Sequence, residues 1–205
     1  SSDVCSSDLA VSFDDLISGT GTLCDANNYG DPVVLYDTFS DRWVVSDFAF
    51  TTDANGNVNS DNYQCFAVSK SGDPVNGGWW FYAFRVAQGG DIADYPKLGV
   101  WPDGIYMSAN VFGTSSFRNV RVWAFNKSDL YGGVAAPRAV QFDLPQSIQG
   151  ISIFSLLPSN ARVQTGTPPA GTPNLFASIY GSYRIRVWRF ASNWGGTATL
   201  TGPTD

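Results

Sequence analysis

Short apolar segments with alternate-residue patterning recur along the whole chain, each bounded by turn signals. In order they cover residues 33–37, 42–48, 63–69 and 79–86, then 97–101, 105–112, 120–125 and 138–144, then 150–157, 174–180, 183–190 and 197–202. Val, Ile, Phe, Tyr and Trp dominate them, which is strand composition. Between them lie turn formers such as Thr38–Asp41, Lys70–Gly78 and Pro102-Asp103-Gly104. No window carries a helical stripe. The chain has no glutamate, while aspartate, asparagine, glycine and serine abound. Glutamate favours helices; the residues used here favour turns. The expected class is all-β.

These segments form groups of four that resemble one another. Cys65–Ser71 aligns with Val122–Ser128, Val187–Phe190 with Val122–Phe125, and Asp31–Tyr36 with Tyr95–Val100. A repeat carrying four short strands is the pattern of propeller blades. A β-sandwich also uses short strands with regular turns, but the repeated third strand favours the propeller. The expectation is a β-propeller fragment of about three four-stranded antiparallel blades, near residues 25–90, 91–147 and 148–202. Closure typically takes about 4–8 blades, so other blades of the same full-length chain are expected as partners. Trp123, Phe125, Trp188 and Phe190 should form bulky apolar faces, alternating with Arg121, Ala124 and Arg189. Adjacent Trp79 and Trp80 should point to opposite sides. Arg184, Arg186 and Arg189 read as a solvated edge.

Residues Ser1–Leu9 stand apart. They contain two near-copies of Ser-Ser-Asp and back-translate to the constant end of a common sequencing-library adapter. They are expected to be a non-native leader, which makes residues 10–205 a partial propeller and a fragment. Without them the chain has 12 basic and 16 acidic residues, a net charge of −4 rather than −6, and two cysteines rather than three. Such a mildly acidic chain, with three lysines, lacks the electrostatic footprint of a nucleic-acid or anionic-membrane binder. No apolar run is long enough to span a membrane. The absence of histidine excludes Ser-His-Asp, Cys-His and His-ligated metal chemistry within these residues.

The strings GDPVVLYDTFSDRW, YQCFAVSKSGDP and DYPKLGVWPDGIYMSANVF resemble a widespread, largely uncharacterised group of bacterial exported proteins with a sialidase-like β-propeller. The resemblance covers most of residues 24–195 and implies a secreted or cell-surface location without implying an activity. Ser71–Trp79 is similar to the Asp-box turn of sialidases, but it is one residue longer and lacks the Gly and Thr of that pattern. That turn is a structural device and bears on fold rather than catalysis.

In an exported protein, Cys24 and Cys65 are most simply a disulfide, the alternative being two free thiols. Asp53, Asn55, Asn57, Asn59 and Asp61 place oxygen-bearing side chains at alternate positions, as a hard cation such as calcium requires. Val58 stands where an EF-hand has glycine, and a solvated turn is the ordinary alternative. Asp25, Asn27, Asn28 and Asp31 form a similar cluster. Asp37, Asp41, Arg42 and Trp43, with Asp94, Tyr95, Trp101 and Asp103, offer paired carboxylates and aromatic faces suited to a glycosidic bond. A sialidase needs a Tyr/Glu nucleophile pair, and no glutamate is present, so no catalytic residue is named. The expected function is a non-catalytic binding or scaffold module with a glycan or protein ligand. The alternative is a carbohydrate-active enzyme, sialidase-like or another glycosidase, with its site partly in missing blades.

Overall fold

A computed structural model describes residues 12–205; the adapter-like leader lies outside the described residues. Sheet I comprises β1 (Asn28–Asp37), β2 (Arg42–Ala49), β3 (Asn62–Ser69) and β4 (Trp79–Ala87). Sheet II comprises β5 (Ile92–Val100), β6 (Gly104–Phe112), β7 (Phe117–Asn126) and β8 (Ala139–Asp143). A two-residue pair, β9 (Ser147–Ile148) and β10 (Ile151–Ser152), precedes sheet III. Sheet III comprises β11 (Leu157–Pro158), β12 (Asn174–Tyr180), β13 (Arg184–Ala191) and β14 (Thr199–Thr204). Each sheet is an antiparallel meander with its strands in chain order. Turns after first and third strands therefore gather at one end of the sheets, and turns after second strands at the other.

The sheets are stacked in sequence order because both faces of sheet II are apolar. Along β7, Trp123 and Phe125 face sheet I, where they meet Val44, Phe66, Val68 and Tyr82. Val120, Val122 and Ala124 face the other way and pack under Phe176, Trp188 and Phe190 of sheet III. Phe125 meets Phe66 and Phe84 with ring centroids 5.0 and 4.5 Å away. Trp123, Phe125, Trp188 and Phe190 thus form the expected bulky buried faces, and the smaller Val120, Val122 and Ala124 let sheet III cover the other side of sheet II. Arg121 shares the face of Trp123 and Phe125, pairing with Asp143 and donating to the Val86 carbonyl of sheet I at 2.8 Å. Trp79 and Trp80 do diverge, Trp79 to the outer side of sheet I and Trp80 to the shared core.

First strands carry a common irregularity. A register shift between Gly30 and Val33 recurs between Asp94 and Lys97, with Asp31 (φ +52°) and Tyr95 (φ +57°) each preceding a proline. Ser155 (φ +50°) bends the chain just before β11. The expected strand 150–157 is broken there for a physical reason. Ile153 and Leu156 are both buried in the same cluster, and residues three apart cannot share one face of a straight strand. Two short helices also appear, α1 (Phe13–Leu16) and α2 (Lys127–Tyr131). Arg186 lies on the third strand of its sheet and is buried, not solvated. Its guanidinium pairs with Asp205 at 2.7 Å and donates to Ile148 and Gln149.

Candidate functional site

Cys24 and Cys65 form a disulfide with Cα atoms 5.7 Å apart, both residues fully buried. The Thr22 hydroxyl accepts the Cys24 amide and starts a 3₁₀ turn that points the thiol at β3. The bond pins a segment whose Phe13, Leu16, Ile17 and Leu23 cover the outer face of sheet I. A buried disulfide is compatible with a non-cytoplasmic protein. No helix among the described residues is long and apolar enough to cross a membrane.

The polar side chains of loop 51–61 make turn contacts and one ion pair. Asp53 accepts the Asn55 and Asn57 amides at 2.9 Å each, together with the Asn57 side chain, and these bonds hold its carboxyl below the usual range. The Asn59 side-chain Oδ1 accepts the Thr51 hydroxyl, and Asp61 pairs with Arg85 at 3.2 Å. The expected ligands Asp53, Asn55, Asn57, Asn59 and Asp61 are therefore engaged in separate turn contacts. Among the described residues, no three acidic or cysteine side chains form a group able to hold a metal ion.

The acidic and aromatic turn residues are also separated. Asp37, Asp41, Arg42 and Trp43 sit at the same end of the stack as Trp101 and Asp103, while Asp94 and Tyr95 lie towards the other end of β5. Asp41 accepts the Tyr36 hydroxyl at 2.6 Å, and Trp43 donates its indole N–H to Gly72. In the turn Ser71–Trp79, Asp73 accepts the Val75 and Asn76 amides, and Trp79 donates to the Pro74 carbonyl. These contacts build turns.

Two equivalent bays between sheets differ in how they are filled. Between sheets I and II, α2 follows β7 directly, its start capped by the Asn126 side chain. Leu130 is buried there, and Lys127 Nζ and the Tyr131 hydroxyl both reach the buried Asp37 carboxylate. Between sheets II and III, the residues aligned with the start of α2 are Ser192, Asn193 and Trp194. Asn193 adopts φ +43° and Gly195 and Gly196 follow, so the chain turns away without a helix. A groove of about 500 Å³ remains, lined by Trp101, Asp103, Ser192, Asn193, Trp194 and the strap 169–173.

Its walls are tied together. The Trp101 indole donates to Thr172 of the strap, and the Trp194 indole donates to the Asp103 carbonyl, both at 2.9 Å. The Asp103 carboxylate accepts the Ser192 hydroxyl at 2.5 Å and the Tyr106 hydroxyl at 3.1 Å. Burial pushes the Tyr106 phenol well up, so it remains a donor. Arg138 donates to the Trp194 carbonyl at 3.1 Å, and its hydrogen bonds to Asp129 hold that carboxyl down to about 2. Of these groups, the sequence singled out Trp101 and Asp103; it missed Trp194, Ser192 and the strap. No family model, curated protein or solved structure matches the chain.

Proposed function

We propose that the chain is a segment of a β-propeller from a secreted or cell-surface bacterial protein, serving as a non-catalytic binding module for a glycan or protein. The observation that carries the reading is the equivalence of successive sheets. Ile185, Val187 and Arg189 of β13 align with Val120, Val122 and Ala124 of β7, whose side chains are buried beneath sheet III. The outer side of sheet III is thus the counterpart of a covered face. It carries Leu157, Ile179 and Ile185 at 56%, 77% and 62% exposure. A further sheet of the same kind, from the full-length chain, fits there. Convergence of first strands supports a radial arrangement: a Cβ at Gly99 of β5 would stand 2.5 Å from the Ser159 carbonyl just after β11.

Structure determination on the uninterrupted reading frame tests this. A ring of four-stranded sheets is expected, with one sheet lying on the outer face of sheet III; a two-layer sandwich would overturn it. Chromogenic sialosides and neutral glycosides should release no aglycone. Sustained turnover would replace the module by a carbohydrate-active enzyme.

A further inference from the structure

We infer that the groove between sheets II and III binds a neutral glycan, an assignment that rests on the binding-module reading above. Its volume, about 500 Å³, falls within the range of about 300–1,000 Å³ usual for small-molecule sites. Two indoles line it, and aromatic surface suits the apolar C–H faces of sugar rings.

The hydrogen-bonding inventory decides between ligand classes. Both indole N–H groups are already spent, on Thr172 and on the Asp103 carbonyl. The Asp103 carboxylate has about four lone-pair sites, and the Tyr106 and Ser192 hydroxyls engage part of that capacity. Asn193 directs its Nδ2 to the Thr197 carbonyl, which leaves its side-chain carbonyl as an acceptor. The Asp103 and Asn193 acceptors therefore ask the ligand for donors, while the Thr172, Thr197 and Thr199 hydroxyls can donate or accept. Sugar hydroxyls supply those donors. A proline-rich peptide presents carbonyls and needs the indole donors that are occupied. An anionic sugar would meet the Asp103 charge.

The bay between sheets I and II sharpens the assignment. There the same location is closed by Leu130, Tyr131 and the Asp37–Lys127 pair. Between sheets II and III the helix is replaced by a loop, and the Trp101–Thr172 bond fixes a strap bounded by Pro169 and Pro173. Walls built this way are ordered before a ligand arrives, which lowers the cost of binding.

The test follows the indole N–H signals of the seven tryptophans by NMR, with Trp194→Phe and Trp101→Phe used for assignment. Cello-, xylo-, manno-, malto- and chito-oligosaccharides are titrated, beside sialyllactose and a proline-rich peptide. The Trp101 and Trp194 signals should shift with at least one neutral oligosaccharide and remain still with the other two probes. Trp194→Ala should weaken binding at least about tenfold, near 1.4 kcal/mol, while unmoved Trp43 and Trp79 indole signals show that the fold persists. The inference is overturned if no neutral oligosaccharide moves these signals, if shifts concentrate on other tryptophans, or if the peptide binds instead. Sugar binding accompanied by cleavage would uphold the groove and remove the non-catalytic reading. Absence of both binding and cleavage would remove the groove assignment and leave the module reading standing.

Discussion

Lys127 Nζ lies 3.0 Å from the Asp37 carboxylate, and both side chains are almost entirely shielded from water. The pair joins the turn after β1 to the first residue of α2, and Asp37 also accepts the Tyr131 hydroxyl and the Phe39 amide. Removing one partner of a buried pair leaves an uncompensated charge, at a cost of about 3–5 kcal/mol. Lys127→Ala should lose stability on that scale in urea titrations. Adding Asp37→Asn should recover part of the loss, because the amide removes the unpaired charge yet keeps acceptors for the Tyr131 hydroxyl and the Phe39 amide.

The Cys24–Cys65 bond closes a loop over a sequence separation of 41 residues. In the chain-entropy account a loop of this length stabilises by about 4 kcal/mol. Reduction, or the double change Cys24→Ala with Cys65→Ala, should lower the melting temperature. It should also increase hydrogen exchange first in β2 and β3, from which the pinned segment excludes water. Undiminished protection there would refute the assigned role.

Asp47 is buried on β2 and accepts the Gly30 and Phe48 amides at 3.0 and 2.7 Å. Burial is the main cause that raises its carboxyl to about 6, and the Asp31 and Asp14 charges add to it, against the two amide bonds. Because the folded value exceeds the unfolded one, its stabilisation is complete below about pH 4 and is lost as pH rises through about 6. The swing is about 3 kcal/mol. Asp47→Asn keeps an acceptor for both amides. It should be more stable than the wild type at pH 7.5, with the difference vanishing near pH 4 in paired denaturation series.

Leu157, Ile179 and Ile185 present an apolar sheet face to solvent. Contiguous patches of this sort promote association. The isolated chain should sediment as concentration-dependent oligomers, and Ile179→Lys with Ile185→Asp, an opposite-charge cross-strand pair, should restore the monomer. Exposed substitutions of this kind cost little, within about 0.5 kcal/mol each. A wild-type chain that stays monomeric at high concentration would contradict this expectation.

Strand positions were legible where alternation and turn chemistry agree, as in β3 and β13. The third strands were legible as buried apolar positions through Trp123, Phe125, Trp188 and Phe190; the place of Arg121 was not, since it shares the Trp123 face and is taken up there by Asp143 and the Val86 carbonyl. Segment 150–157 misled because an apolar run does not show where a left-handed residue such as Ser155 breaks it. α2 is too short for periodicity; its one signal is the Asn126 cap three residues before Asp129. The disulfide was legible from cysteine arithmetic. The groove was not, since it assembles residues near 101, 170 and 194 that no local pattern connects.

The connection leaving each third strand behaves as an exchangeable cassette. Asn126 and Ala191 are aligned exit points, one leading into a plug and the other into an open bay. A graft of the first cassette onto the second would seal the groove without touching a strand. Duplication of a sheet therefore creates, with each copy, a fresh rim position free to specialise while the layers beneath stay interchangeable.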